Sequence, residues 1–204
     1  MLSPHYEWIP AVDPMHFDKE TAGAGLGRSF AKKLIELCPG KQIGLIPCAY
    51  GGTSLEMWQP EHHLFRNAIY RTEYAMKFGR LGGILWHQGE SDAASKVSSP
   101  TYAVRFQKMM LEMRERLNAH TVPVLVGTLG DFVKYRANGI KKYAPEINRQ
   151  IFSLAETMNR LGVVDSSGLI DRGDQLHFST EALRELGTRY AGEFLEIETD
   201  YCLK

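Results

Sequence analysis

The chain has 204 residues, 44% of them hydrophobic and 24% charged, which is ordinary for a globular domain with a substantial core. Its 24 Lys and Arg residues match its 24 Asp and Glu residues, so the formal net charge is zero and a basic surface for nucleic acid is not expected. The sequence contains no apolar run near the roughly 20 residues of a membrane span, so we expect no membrane partner either.

Residues 1–22 hold Pro4, Pro10 and Pro14 and show no sustained period, which predicts an irregular arm. After this arm, amphipathic segments alternate with short apolar runs. Apolar residues at helical spacing predict helices over 27–37, 64–78, 102–117, 147–161 and 181–194. Short apolar runs predict strands over 43–49, 82–87, 122–129 and 162–165.

This alternation indicates an α/β fold in which helices cover both faces of a parallel sheet. The sequence has no repeat or linker, so we expect one domain over residues 1–204. Ligands of such folds lie at the carboxyl ends of the strands. Three polar motifs follow predicted strands, at 51–54, 87–92 and 174–177, and we expect them to converge on one site.

The cysteines Cys38, Cys48 and Cys202 form no CxxC or CxxH cluster. An odd, scattered set argues against a disulfide framework and against a structural zinc site. Residues 1–6 have neither the basic nor the apolar region of a secretory leader, so a cytoplasmic location is predicted.

Asp174 stands three residues before His177, just ahead of the last predicted helix, which Ser179 is expected to cap. At this spacing the carboxylate can hold one ring nitrogen of His177 while the other nitrogen faces a cleft. That is the arrangement of a general base with its orienting acid. The alternative is a surface pair whose contact only closes a turn.

The glycine pair Gly51-Gly52 follows a predicted strand, where backbone N–H groups can approach a ligand closely. Such an N–H suits an oxyanion hole, and a plain turn that needs a positive φ is the alternative. Ser54, and Ser91 in the next motif, are candidate nucleophiles, although neither stands in a strand–elbow–helix frame such as GxSxG.

Residues 86–92 (WHQGESD) crowd polar and acidic side chains behind an apolar strand, which is costly unless they form hydrogen bonds or bind something. The Gln88 amide could donate to an oxyanion, while Glu90 and Asp92 orient the loop. A structural hydrogen-bonded network is one alternative. A metal site is another, although no second histidine stands at a metal-binding helical spacing. Its ligands would be His87, Glu90, Asp92 and His177.

Together the motifs resemble those of the SGNH-hydrolase superfamily, and within it the carbohydrate esterases of the acetylxylan esterase and sialate O-acetylesterase type. WHQGESD at 86–92 is the most specific match. The other matching segments, in family order, are WIPAVDPMHF at 8–17, IGLIPCAYGGTS at 43–54 and GDQLHF at 173–178.

The resemblance implies a flavodoxin-like three-layer α/β/α fold that hydrolyses acetyl esters on sugars or polysaccharides without a metal or organic cofactor. It assigns His177 as the general base and Asp174 as its orienter. It also assigns the Gly52 N–H and the Gln88 side chain as the oxyanion donors.

The family's nucleophilic serine belongs to a Gly-Gln-Ser-Asn block behind a first apolar strand, and this sequence has no such block. Ser3 is followed by Pro4 and has no strand before it. In this fold the first strand lies between the next two, so its absence predicts a gap in the sheet or a remodelled edge. We therefore expect an N-terminally incomplete esterase domain whose nucleophile is missing from its expected place.

Two other functions fit the same residues. A non-catalytic protein that binds acetylated sugars would use Tyr50, Trp58 and Trp86 to stack on a sugar ring. A metal-dependent hydrolase would instead use His87 and His177. The sequence does not indicate an oligomeric state.

Overall fold

A three-stranded parallel sheet in the order β1-β2-β3 forms the centre of the protein, of which the computed structural model describes residues 1–203. The strands are Ile84–Trp86 (β1), Val124–Gly127 (β2) and Leu161–Val164 (β3). In register, Leu85 of β1 lies opposite Leu125 of β2, which lies opposite Gly162 of β3. These strands fall within or next to the segments predicted from the apolar runs.

Helices cover both faces of the sheet, as the alternating sequence pattern predicts. They are Leu26–Leu37 (α1), His63–Ala75 (α2), Tyr102–Arg116 (α3), Ala144–Thr157 (α4) and Thr180–Ile197 (α5). Successive residues of β2 point to opposite faces. Val124 and Val126 therefore join the core under α2, α3 and α4, whereas Leu125 joins the core under α1 and α5. The result is a three-layer α/β/α architecture.

Helices α1 and α5 pack closely because Gly187 has no side chain. A Cβ on Gly187 would lie 2.1 Å from Ser29 Oγ and 2.3 Å from the Leu26 carbonyl oxygen. At the start of α5 the Ser179 side chain accepts a hydrogen bond from the Ala182 N–H at 3.1 Å, which confirms the predicted cap.

The strand predicted over 43–49 is not formed. The Leu45 carbonyl accepts one hydrogen bond from the Leu2 N–H at 2.8 Å, and most of the segment is partly exposed. β1 pairs only with β2, and no backbone hydrogen bond within residues 1–203 connects β1 with 43–49. A strand needs a ladder partner, and an apolar run in the sequence does not say whether one is present.

A disulfide joins Cys38, at the end of α1, to Cys202, although the cysteine spacing argued against disulfides. The two cysteines are 164 positions apart, so no local sequence pattern predicts this disulfide. Disulfides are typical of oxidising compartments, so this bond does not favour the predicted cytoplasmic location. In the part of the chain that is described, no helix has both the length and the apolar character needed to cross a bilayer.

Candidate active site

His177 and Asp174 form the predicted pair in the loop that precedes α5. The ring Nδ1 of His177 lies 2.6 Å from Asp174 Oδ2, and the His177 backbone N–H donates to Asp174 Oδ1 at 2.8 Å. The histidine side chain is 58% exposed. Its Nε2 has no hydrogen-bond partner within residues 1–203, so this nitrogen is open to a ligand.

Asp174 is held as a carboxylate by its surroundings. Burial alone would raise its pKa, but hydrogen bonds from His177, Arg172 and the Leu176 N–H outweigh burial and hold the pKa well below its usual range. Arg172 Nε lies 2.9 Å from Oδ2, the oxygen that also faces the imidazole, and Arg136 donates to the Asp174 backbone carbonyl. An ionised Asp174 places the imidazole proton on Nδ1 and leaves the Nε2 lone pair free to accept a proton.

The loop 51–54 presents an unused backbone donor at Gly52, whose φ is +80°, in the region that favours glycine. Neighbouring groups fix the turn: the Gly51 N–H donates to Asp18 Oδ2 at 2.7 Å, and Lys19 Nζ donates to the Gly51 carbonyl at 2.9 Å. Within the described chain the Gly52 N–H has no acceptor. It can therefore donate to a negatively charged oxygen.

Gln88, predicted as the second oxyanion donor, has both amide hydrogens engaged. Its Nε2 donates to the Thr53 carbonyl at 3.0 Å and to Asp92 Oδ2 at 2.9 Å, while Oε1 lies 3.1 Å from the Tyr102 hydroxyl. An amide group has two N–H hydrogens. In this conformation, Gln88 has none left for a substrate and instead joins the motif at 87–92 to the loop 51–54.

Asp92 is the buried centre of the same network, with 2% of its surface exposed. Besides Gln88, its carboxylate accepts from the Leu55 N–H at 2.8 Å and from Arg105 Nη2 at 2.8 Å. These contacts connect the motif at 87–92 to Leu55 and to α3.

His87 and Glu90 lie on the side of this motif that faces α5 and the His177 loop. The His87 ring packs edge-on against Phe178, with centroids 5.4 Å apart, and its Nδ1 lies 3.4 Å from the Tyr190 hydroxyl. Burial lowers the pKa of His87, and Glu90, whose carboxylate is 4.0 Å from Nε2, opposes this effect only in part.

Two contacts link the three motifs pairwise. The Ser91 hydroxyl donates to the Gly52 carbonyl at 3.2 Å, which joins the first motif to the second. The contact between His87 and Phe178 joins the second motif to the third. The loop after β1 therefore contacts both the loop 51–54 and the segment that carries His177.

No serine within residues 1–203 is hydrogen-bonded to His177. Ser91 donates to the Gly52 carbonyl, and the Ser54 side chain forms no hydrogen bond in the described chain. Ser3 is buried, and its hydroxyl accepts from the His5 and Glu7 backbone N–H groups, which is a structural role.

The sugar-stacking role expected of two tryptophans is wrong. Trp58 and Trp86 are 5% and 8% exposed and pack edge-on against each other, so neither offers a free ring face. Tyr50, in contrast, is 46% exposed and directly precedes the glycine pair.

The metal hypothesis for His87 and His177 gains no support from the geometry. In the described residues, one group of three ligand-type side chains lies close enough to share an ion, and it contains neither histidine. That group consists of Glu56, Glu61 and His62.

Two tyrosines that none of the sequence motifs includes, Tyr102 of α3 and Tyr190 of α5, support the backbone of the motif at 86–92. The Tyr102 hydroxyl donates to the Gln88 backbone carbonyl at 2.7 Å, and the Tyr190 hydroxyl donates to the Trp86 backbone carbonyl at 2.6 Å. Both rings are fully buried. A tyrosine within an apolar helical stripe is the available signal, because its hydroxyl needs a buried partner.

Comparison with known proteins places these motifs in a family. A family model described as "Carbohydrate esterase, sialic acid-specific acetylesterase" matches residues 1–196. The chain is similar to a probable carbohydrate esterase of Arabidopsis thaliana, with 31% identity over 201 residues that cover 95% of this chain and 73% of the relative.

Solved structures show the same fold. The crystal structure of the Arabidopsis thaliana protein superposes with a TM-score of 0.87 at 29% identity, over 96% of this chain and 79% of that one. NanS gives a TM-score of 0.72 at 18% identity, over 88% and 72% of the two chains. A carbohydrate acetylesterase from Xanthomonas citri gives 0.65 at 24% identity, over 84% of this chain and 40% of that one.

Proposed function

Because the chain belongs to the carbohydrate esterase family described as sialic acid-specific acetylesterases, we propose that it hydrolyses O-acetyl esters carried by sugars. The observation that carries the proposal is the pairing of an open His177 Nε2 with an ionised Asp174, and the free N–H of Gly52 in the loop 51–54 supports it. Those groups supply a general base, its orienting acid and an oxyanion donor.

In the proposed mechanism, His177 Nε2 takes the proton from a serine hydroxyl as that oxygen forms a bond with the acetyl carbonyl carbon. The carbonyl oxygen becomes negatively charged and accepts from the Gly52 N–H. The imidazolium then returns the proton to the sugar oxygen as the ester bond breaks. Water, activated by the same imidazole, releases acetate from the serine.

Asp174 keeps the imidazole proton on Nδ1 throughout and stabilises the imidazolium that forms. For Gln88 we propose a positioning role, since its amide holds the Thr53 carbonyl and Asp92. Glu90 is proposed to keep the His87 side of the motif in place. Ser54 and Ser91, which border the Gly52 loop, are the candidates for the attacking hydroxyl within this sequence.

A second candidate function is binding of acetylated sugars without turnover. It is favoured by the lack of a hydrogen bond between His177 and any described serine, and by the exposed ring of Tyr50 beside Gly51. An exposed tyrosine ring next to free polar groups suits a sugar face.

The two functions are separated by reacting the folded protein with a fluorophosphonate probe and locating any adduct by mass spectrometry. Esterase chemistry within this chain predicts one stoichiometric adduct, on Ser54 or Ser91, that is lost in His177→Ala. Acetate release from acetylated sugars should disappear in the same variant. His120→Ala, which changes an exposed histidine after α3, is the matched control and should keep both properties.

If the folded chain gives no adduct and releases no acetate, the 204 residues do not carry the esterase function. Binding of acetylated sugar under those conditions would support the second candidate. An adduct that persists in His177→Ala would contradict the role of His177 as general base.

A further inference from the structure

We propose that Arg105 and Asp92 are a pair of positioning residues that hold the Gly52 loop in the geometry needed to stabilise an oxyanion. The inference rests on the proposed function, because it concerns the same acyl-transfer site. Neither residue supplies the base or the free N–H. They act through the loop between them.

The first argument is connectivity. Asp92 Oδ2 accepts from the Leu55 N–H, just beyond the loop 51–54, and from Gln88 Nε2, whose other hydrogen holds the Thr53 carbonyl. The loop is therefore attached to one carboxylate by a direct bond and by a bond through Gln88. A displacement of Asp92 would move both attachments together.

The second argument is charge. The Asp92 side chain is 1% exposed, and a buried carboxylate is costly unless it is paired and hydrogen-bonded. Arg105 Nη2 supplies the opposite charge, 2.8 Å from Asp92 Oδ1. Within residues 1–203, Arg105 is the one cationic side chain within ion-pair distance of Asp92.

The third argument is how Arg105 is itself held. It belongs to the second turn of α3, and it also donates to the Ser98 carbonyl at 3.0 Å and to Thr101 Oγ1 at 3.2 Å. The guanidinium is thus held by two acceptors in addition to Asp92. One turn earlier, Tyr102 holds the Gln88 carbonyl, so α3 anchors the Gly52 loop through two side chains.

The test compares Arg105→Gln, Arg105→Lys and the double variant Asp92→Asn/Arg105→Gln with wild type. Arg116→Gln is the matched control, because it removes one exposed charge from the same helix far along α3. The first readout is amide hydrogen exchange by NMR of Leu55 and of the Gln88 side chain, each relative to Leu125 in β2. The ratio removes any effect of global stability.

Arg105→Gln should speed exchange at Leu55 and Gln88 relative to Leu125 by about ten-fold or more, because the hydrogen bonds to Asp92 open locally. Arg105→Lys should restore part of the protection. The double variant should restore most of it, since two amides replace the buried ion pair without an unpaired charge. Exchange in Arg105→Gln that stays within about two-fold of Arg116→Gln would overturn the proposal.

The second readout is acetate release. Arg105→Gln should lower kcat by about 100-fold with KM changed less than about two-fold, as expected when the geometry of the oxyanion donor shifts but ground-state binding does not. An equal loss in kcat and in substrate binding would contradict a positioning role. If wild type releases no acetate, the proposed function fails, while the exchange ratios still decide whether the pair holds the loop.

Discussion

Asp174 contacts His177 twice, through the ring Nδ1 at 2.6 Å and through the backbone N–H at 2.8 Å, using a different carboxylate oxygen for each bond. The two bonds fix the ring plane and the loop backbone together. A spacing of three residues in a tight loop therefore lets one carboxylate hold both the ring and the backbone of His177.

Asp174→Asn is expected to lower kcat for acetyl ester hydrolysis strongly, by up to about 10⁴-fold, because an amide at this position can select the wrong imidazole tautomer. The comparable change Glu36→Gln, on the exposed side of α1, should leave kcat unaltered. Steady-state kinetics on both variants with an acetylated sugar decide the matter. Normal turnover in Asp174→Asn would show that the contact between Asp174 and His177 only stabilises the turn.

Acid should weaken the fold through the same residue. The pKa of Asp174 is lowered in the folded state, so its contribution to stability is present above its unfolded pKa of about 3.9 and is lost as pH falls toward the folded value. Urea unfolding at pH 7, 4, 3 and 2.5 should show a fall below pH 4. In Asp174→Asn that fall should be shallower, because the variant lacks the proton, up to about one per chain, that Asp174 takes up on unfolding. An identical pH dependence in both proteins would refute this assignment.

Thiol counting tests the disulfide that the sequence analysis missed. Without reductant, the denatured chain should expose one thiol, from Cys48, and after reduction three. In the native protein Cys48 should react slowly, because burial raises its pKa to about 11 despite the opposing charge of Arg71. Three reactive thiols in the denatured, unreduced chain would contradict the bond between Cys38 and Cys202.

The predictable parts of the molecule are those encoded by local periodicity. The stripe predicted over 102–117 became α3 at Tyr102–Arg116, and the Asp174 and His177 spacing gave the observed bonds. Both depend on residues within a few positions of each other. The strand expected over 43–49 failed because strand formation depends on a partner elsewhere in the fold.

The contacts of Gln88 likewise depend on partners that are distant in the sequence. Its sequence context indicated a donor, but which acceptor it meets is decided by Thr53 and Asp92, and the latter depends on Arg105 in α3. Such partners come together only after the helices pack on the sheet. A motif can therefore indicate that a polar side chain matters without indicating whether it faces substrate or another loop.

Two glycines of α5 provide a matched pair for testing helix packing. Gly187→Ala should destabilise the protein by about 1–3 kcal/mol, because the new methyl group would overlap Ser29 and the Leu26 carbonyl and force α1 away. Gly192→Ala adds the same group where nothing lies within 4 Å, so better helix propensity should stabilise the protein by about 0.5–1 kcal/mol. Because both changes lie in one helix, the opposite effects on stability follow from the contacts that a new methyl group would make at Gly187 and would not make at Gly192.

Urea unfolding of the two variants and wild type measures both effects in one experiment. The double variant should equal the sum of the singles within about 0.5 kcal/mol, because the two sites share no contact partner. If Gly187→Ala stabilised the chain as much as Gly192→Ala, α1 would have to be free to move away from α5. That outcome would refute the close packing of these two helices, which sets the position of α5 and of the His177 loop that leads into it.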